Sequence, residues 1–204
     1  MSEAESARRS RRRQMSKDER RAEIIRVAAD LFEKLGYARA SMDDIAAAVG
    51  IGKPTLYHYF RSKSELLWYM HEELIDGLIE SHGARVEQGL EPAELLRGVI
   101  HDFLQNIATR RGQCRVFFEN HRELPDADLA VATEKRARYE AMVQDVVRDG
   151  IAAGTFRKVD AKLFSLAIFG MSNWAYQWYR PDGELTHDEI ADAFWDYAYR
   201  GLRP

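Results

Sequence analysis

Cysteine is nearly absent from this chain of 204 residues, in which Cys114 is the single example. A disulfide framework requires paired cysteines, and a multi-cysteine zinc or iron–sulfur centre requires several cysteine ligands. The sequence excludes both kinds of site. A lone cysteine of this kind most simply behaves as a small buried hydrophobic side chain.

Long apolar runs are also missing, because no stretch approaches the roughly 18 residues that a membrane-spanning helix requires. The arginine-rich N-terminus is not followed by the short apolar segment of a secretory signal. Hydrophobic residues nevertheless make up 46% of the sequence, which is enough to build a buried core. These features predict a soluble protein of the cytoplasm.

Motifs typical of catalysis are absent too. The sequence contains no glycine-rich phosphate loop and no Gly-x-Ser-x-Gly elbow. Five histidines are scattered without the spacing of metal ligands, namely His71, His82, His101, His121 and His187. We therefore expect a protein that is not an enzyme and that carries no metal and no cofactor.

Apolar residues recur at helical spacing along the chain, whereas the alternating pattern of β-strands is not found. Capping residues, prolines and glycines divide this pattern into about nine helices. The predicted helices begin near Lys17, Ser41, Pro54, Ser62, Pro92, Gly112, Pro125, Leu163 and Thr186. The expected fold class is therefore all-α.

Charge is distributed unevenly, although the total is only −3. Residues 1–67 carry a net charge of +4 and residues 68–204 carry −7. A basic head on an acidic body is expected when one end of a protein meets a polyanion. Residues 1–16 form a basic arm that we expect to be disordered, and the sequence leaves open whether Arg8–Arg13 contacts DNA.

The spacing of residues 41–60 is that of a helix-turn-helix, a unit that can push its second helix into a major groove. The segment Gly50-Ile51-Gly52 forms the tight turn. Apolar residues at helical spacing are predicted to close a small core with the first helix: Ile45, Ala46, Val49, Ile51, Leu56 and Phe60. The outward face then consists of Lys53, Pro54, Thr55, Tyr57 and His58, with Tyr59 between the two faces.

The outward residues have the chemistry of DNA contact. Lys53 can reach guanine acceptors, while Pro54 and Thr55 offer apolar surface to a thymine methyl, so these three are expected to read sequence. Phosphate contacts are expected at Ser41, Tyr57, His58, Tyr59 and Lys63. The alternative is that the aromatic run Tyr57–Phe60 merely packs two helices together.

A set of segments around the helix-turn-helix forms a recognisable pattern: Ile24–Phe32, Gly36–Tyr37, Ile45–Ala46, Val49–Phe60 and Ser62–Leu67. With these segments the region resembles the TetR (tetracycline-repressor) family. The resemblance implies an all-helical homodimer that represses transcription from a palindromic operator and releases it on binding a small molecule. It also implies the eight DNA contacts named above. Many relatives have serine before this lysine and glycine after it, where this chain has Gly52 and Pro54, so the operator sequence is not transferable.

The remaining part of the chain is expected to sense a ligand and to dimerise. The segment Leu163–Trp178 is apolar on every side, which a helix tolerates when both faces are buried. Ala167, Gly170 and Ala175 permit close helix approach, and the final helix supplies a second apolar stripe. We predict a four-helix interface between two subunits, and a monomer core is the alternative.

A ligand cavity lined by aromatic residues and a few polar ones is predicted in this second part of the chain. The candidates are Phe103, Phe117, Phe118, Trp174 and Trp178, with His121, Arg122 or Asn173 fixing a polar group. Plain core packing is the alternative for each of them. The expected effector is a small apolar molecule or an acyl-CoA.

The acyl-CoA expectation comes from a second, shorter resemblance. Residues Asn173–Thr186 are similar to the segment before the last helix in TetR-like repressors of fatty-acid and sterol catabolism, several of which respond to acyl-CoA thioesters. Arg110, Arg111 and Arg115 are candidates for the CoA phosphates, and they equally fit a solvated surface.

These interpretations divide the chain into the basic arm (1–16), a helix-turn-helix domain (17–62) and a ligand-binding and dimerisation domain (63–204). Two other functions stay open at this point. One is a helical ligand-binding or protein-interaction module with no DNA role, and the other is a transcriptional activator of the same fold.

Overall fold

A computed structural model describes residues 15–204, and these residues form nine α-helices and one 3-10 turn, with no strand among them. The all-α fold class is therefore confirmed. The helices are α1 (Lys17–Leu35), α2 (Met42–Val49), α3 (Lys53–Tyr59), α4 (Lys63–Glu87), α5 (Pro92–Asn120), α6 (Asp126–Ala152), α7 (Ala161–Asn173), α8 (Ala175–Trp178) and α9 (His187–Leu202), with the 3-10 turn at His121–Glu123. The question of contact between Arg8–Arg13 and DNA lies outside the described residues.

Helix starts follow the capping signals of the sequence. Ser41 and Asp44 form a capping box at α2, and Thr186 and Glu189 form another at α9. The side chain of Asp160 accepts a hydrogen bond of 2.8 Å from the amide of Leu163 at the start of α7. These bonds satisfy backbone donors that the first helical turn leaves without partners.

Two predicted helix boundaries differ from the structure. The predicted break between Ile107 and Gly112 is a bend inside α5, where Arg110 has φ −137° and ψ 34°. The hydroxyl of Thr109 donates to the carbonyl of Gln105 at 2.7 Å, a back-bond that bends helices.

The second difference concerns the predicted helix over 163–178, which is divided into α7 and α8. The hydrogen-bond ladder tightens at the division, where the amide of Gln177 donates to the carbonyl of Trp174 at 3.1 Å. This three-residue spacing belongs to a 3-10 turn, so the α-helix does not continue through it.

The chain divides into two compact units, one ending at Leu66 and one running from Leu67 to Pro204. Ile24, Ile45 and Leu56 are fully buried in the first unit, where α1, α2 and α3 pack together. In the second unit α5 packs against α6, α7, α8 and α9. None of the helices between residues 15 and 204 is long and apolar enough to cross a bilayer.

Candidate DNA-binding face and ligand cavity

The turn of the helix-turn-helix is built around Gly50. Its φ of 73° and ψ of 41° lie in the left-handed region, which a glycine adopts without the steric cost of a Cβ. The amides of Gly50 and Ile51 both donate to the carbonyl of Ala46, at 2.9 and 3.0 Å. The chain therefore reverses within three residues and starts α3 at Lys53.

Burial of α3 separates two faces. Leu56 and, just after the helix, Phe60 are completely buried, which fixes the inner side. The opposite side is exposed at Lys53, Pro54, Thr55, Tyr57 and His58. Tyr59 is half-buried and lies between the faces. Aromatic packing therefore accounts for Phe60, whereas Tyr57 and His58 face solvent.

Lys53 is paired within its own unit. Its Nζ lies 2.8 Å from Asp43 Oδ1, and this hydrogen bond raises the pKa of the lysine. Both side chains are more than half exposed, so the pair contributes little to stability. A phosphate or a guanine can therefore take the place of Asp43 at small cost.

Ser41 and Lys63 also have partners within the first unit. Ser41 caps α2 together with Asp44, whose pKa is lowered by the hydrogen bonds from Ser41. Lys63 Nζ donates to the carbonyls of Tyr37 and Ala38 at 2.8 and 3.2 Å. Ser41 thus stabilises the start of α2, and Lys63 stabilises the loop before it. Contact of either residue with phosphate stays a prediction.

The second unit contains a cavity of about 400 Å³ between α4, α5, α6 and α7. Its wall is mostly apolar. It includes four of the eight residues predicted for ligand binding, namely Phe103, Phe117, Phe118 and Asn173. Its other lining residues are His71, Leu74, Ile75, Leu78, Asn106, Ile107, Cys114, Thr133, Arg136, Ala137, Tyr139, Glu140, Leu166 and Phe169.

The other four predicted ligand residues do not line this cavity. Arg122, Trp174 and Trp178 are exposed, the last two at 62% and 45%. His121 does not reach the cavity, but its ring packs near that of the lining residue Phe117, with 5.8 Å between the ring centres. Helical spacing alone does not distinguish the inner face of α7 and α8 from the outer one. For this reason Trp174 and Trp178 were predicted to line the cavity although they are exposed.

Sequence reasoning missed His71, Arg136 and Tyr139. His71 belongs to the same helical stripe as Leu74, Ile75 and Leu78, so it occupies an apolar position of α4. That placement was a usable signal. Tyr139 lies on the apolar stripe of α6 with Val143 and Val146, so its buried side was also readable from the sequence. Arg136 lies among charged residues of the same helix, and no residue pattern marks it as part of the wall.

Burial changes the ionisation of groups in the cavity wall. Desolvation, aided by the nearby cations Arg136 and Lys135, lowers the pKa of His71 to about 4, so the ring is neutral at pH 7. Burial also lowers the pKa of Arg136 and raises that of the Cys114 thiol to about 12. Cys114 is therefore a protonated, unreactive part of the wall.

The outer face of α7 is an exposed apolar stripe. Leu163 is 68% exposed, and Ala167 and Gly170 are exposed on the same side. Leu166, which is 45% exposed, stands at the edge of this face and also lines the cavity. The inner face buries Ile168 and two serines. The expectation that α7 is buried on both faces thus holds for one face, and the other face is exposed.

Two family models match this chain. Residues 24–70 match the model described as bacterial regulatory proteins of the tetR family, and residues 89–202 match the tetracyclin repressor-like C-terminal domain. The chain belongs to the TetR family. The predicted resemblance is confirmed. Membership of a family of transcription regulators agrees with the expectation that the protein is not an enzyme, and it rules against the alternative of a helical module without a DNA role.

Individual TetR relatives cover nearly the whole chain. The transcriptional repressor KstR2 of Mycolicibacterium smegmatis is 26% identical over 179 residues, covering 86% of each protein. The regulator PfmR of Thermus thermophilus superposes with a TM-score of 0.82 at 31% identity, covering 89% of this chain and 99% of that one. AibR, solved with isovaleryl coenzyme A and operator DNA, gives 0.76 at 27%, covering 87% and 97%.

Proposed function

We propose that this TetR-family chain is a ligand-responsive transcriptional repressor. It binds a palindromic operator as a homodimer and leaves the operator when a small apolar or acyl-CoA-type molecule occupies the cavity. The observation that carries the proposal is the exposed face of α3, which has no carboxylate between residues 51 and 62 and is held outward by the buried Leu56 and Phe60. Binding to chromosomal DNA assigns the protein to the cytoplasm.

The face of α3 supports two kinds of contact. Lys53, Pro54 and Thr55 lie in the first turn, which enters the major groove first in helix-turn-helix proteins, so we assign sequence reading to them. Hydroxyl and ring N–H groups farther along α3 and basic or capping groups around it are assigned to phosphates: Ser41, Tyr57, His58, Tyr59 and Lys63.

The apolar stripe of α7 supports a homodimer. A palindromic site needs two reading heads related by a two-fold axis, about 34–36 Å apart. Leu163 and Trp174 would each expose more than 60% of their area without a partner, and exposed contiguous apolar patches mark interaction sites. A second copy of the same stripe, together with α9, covers it in a four-helix interface.

Release is assigned to the cavity because α4 carries part of its wall. This helix begins at Lys63 and supplies His71, Leu74, Ile75 and Leu78 to the lining. A ligand shifts the protein toward whichever shape of the second unit binds it better, by no more than its differential affinity. Since AibR was solved with an acyl-CoA, an effector of that class is a reasonable first probe.

The test is a gel shift with the DNA upstream of the protein's own gene, with heparin as competitor. The wild-type protein should give a sequence-specific complex that weakens as salt increases, because phosphate contacts release counterions. Lys53→Ala should change the preference among operator variants, whereas Lys63→Ala should weaken all of them alike. Lys158→Ala, an exposed cation of the second unit, is the matched control.

Two outcomes would contradict the proposal. One is the absence of any sequence-specific complex across genomic fragments. The other is a Lys53→Ala protein that binds every operator variant as the Lys158→Ala control does. A reporter gene under the operator then gives the sign of regulation, and deletion of a repressor should raise its expression.

A further inference from the structure

Arg136 is the arginine that lines the cavity, and it has no ion pair among the described residues. Arg85 binds Asp102 through two bonds of 2.6 Å, and Arg97 binds Asp192 at 2.7 Å. Arg136 instead makes a weak bond of 3.4 Å to the Thr133 hydroxyl, and its Nε is buried without a hydrogen-bond partner.

The environment of Arg136 makes this lack of a partner costly. The residue is half-buried, lines the apolar cavity and places its guanidinium 5.7 Å from the ring centre of Phe117. A partly desolvated cation without a counterion is unfavourable, and an oxygen with negative charge or a strong dipole relieves it. The cavity is where such an oxygen can arrive.

His71 is a second polar group without hydrogen bonds in the same wall. Its side chain is 3% exposed, and neither ring nitrogen has a hydrogen-bond partner among the described residues. Because the ring is neutral, it offers one donor and one acceptor. It packs on Phe117 at 4.5 Å, so the two unsatisfied groups contact the same aromatic ring.

Beyond His71, the part of the wall that α4 contributes is apolar. From His71 to Leu78 the wall follows α4 for about two turns, or roughly 10 Å. The side chains along this length are Leu74, Ile75 and Leu78, and Phe103 and Phe169 add aromatic surface to the same cavity. A volume of about 400 Å³ is at the lower end of the range for small-molecule sites. Such a space suits a compact apolar body and excludes the hydrated phosphates of a nucleotide.

We propose that the cavity binds an acyl group and that the guanidinium of Arg136 binds its oxygen, either a free carboxylate or a thioester carbonyl. The neutral ring of His71 donates a second hydrogen bond in the same wall. When the ligand is a CoA thioester, the nucleotide stays outside. This inference rests on the proposed function, since it names the chemical class of the effector.

Four probes with the same ten-carbon chain differ only in the head group: decanoate is a free carboxylate, decanoyl-CoA a thioester, decanol a neutral alcohol and decyltrimethylammonium a cation. Binding to the full chain is measured by isothermal titration calorimetry, first with wild-type protein. At least one of the first two ligands should bind about tenfold to a hundredfold more tightly than decanol, because a hydrogen bond to a charged group is stronger than a neutral one. Preference for decanoate identifies the free acid, and preference for decanoyl-CoA identifies the thioester.

The variant Arg136→Met keeps much of the length of the side chain and removes its charge. It should reduce that preference over decanol to less than about threefold, and Arg136→Lys should restore part of it. The control is Arg138→Met, an exposed arginine on the same helix, which should bind like the wild type. All three variants should still shift operator DNA without ligand, which separates failure of this inference from failure of the DNA-binding proposal.

Three results would overturn the inference. The first is that neither acyl ligand binds more tightly than decanol. The second is a preference for the cationic probe, which would assign recognition to the lining carboxylate of Glu140 instead. The third is an Arg136→Met protein that is indistinguishable from Arg138→Met in all four titrations.

Discussion

An ion-pair cluster next to the cavity connects α4 to α6 and allows a quantitative test. Lys135 Nζ lies 2.5 Å from Glu72 Oε2 and 2.8 Å from Asp76 Oδ1. Desolvation lowers the pKa of Lys135, but its hydrogen bonds to Asp76 and Glu72 outweigh that effect and raise it. Glu72 follows His71 and Lys135 precedes Arg136, so the cluster is continuous with the polar part of the cavity wall.

The change Lys135→Met removes the cation and leaves Glu72, which is 18% exposed, without its main partner. Exposed pairs contribute about 0–1 kcal/mol, and removal of one partner of a buried pair costs about 3–5 kcal/mol. Lys135 is 28% exposed and Asp76 is 57% exposed, so the cluster falls between these cases. We expect a loss of about 1–2 kcal/mol in the free energy of unfolding.

The assay is urea unfolding at pH 7 of the wild type, Lys135→Met, Glu72→Gln and the double variant. Since both single changes break the same contact, the double variant should lose less than the sum of the two, by about 0.5 kcal/mol or more. Lys158→Met, which changes an exposed lysine, should stay within about 0.5 kcal/mol of the wild type. Additive losses, or a Lys135→Met protein as stable as the control, would refute the reasoning.

Two further predictions concern pH and assembly. Because His71 has a pKa of about 4 in the folded protein against 6.5 for the free side chain, the unfolded state binds more protons between these values. Stability should therefore fall by up to about 3 kcal/mol as the pH drops from 6.5 to 4, and the His71→Leu protein should lack that part of the fall in acid titrations followed by circular dichroism. Leu163→Glu should convert a dimer to a monomer in sedimentation velocity, because it places a charge in the predicted interface. Leu185→Glu, also at an exposed leucine but outside α7, should remain dimeric, and dimers of both variants would contradict the interface.

The fold was predictable because its helix boundaries are local. The helix starts at α2, α7 and α9 are capped by side chains that bond backbone amides three residues away, at Ser41 with Asp44, Asp160, and Thr186 with Glu189. Both partners of each capping bond therefore lie in the same short segment, where a sequence pattern can detect them. The bend at Arg110 was predicted as a break because the apolar stripe of one helix ends at Ile107 and the next predicted helix begins near Gly112. Whether a helix breaks or only bends at such a segment depends on its contacts with elements that are distant in the sequence. A local residue pattern carries no information about those contacts.

The outward face of α3 was also predictable, for a related reason. In a helix of seven residues, Leu56 and its neighbour Phe60 fix the inner side, and helical geometry then places Lys53, Tyr57 and His58 outside. The internal partner of Lys63 was not predictable in the same way. The carbonyls of Tyr37 and Ala38 lie 26 and 25 residues away in the sequence, and no residue type marks them.

The cavity shows where sequence pattern stops being informative. A stripe of apolar residues predicts that a helix face is buried, but a packed core and a cavity wall have the same stripe. The difference lies in polar side chains that are buried without hydrogen-bond partners, and His71 and Arg136 have such atoms. A histidine at an apolar position of α4 was visible in the sequence, whereas the lack of an ion-pair partner for Arg136 is a property of four helices together. The proposal for the ligand's oxygen therefore rests on unsatisfied polar atoms in an apolar wall, which are fewer and more specific than its aromatic residues.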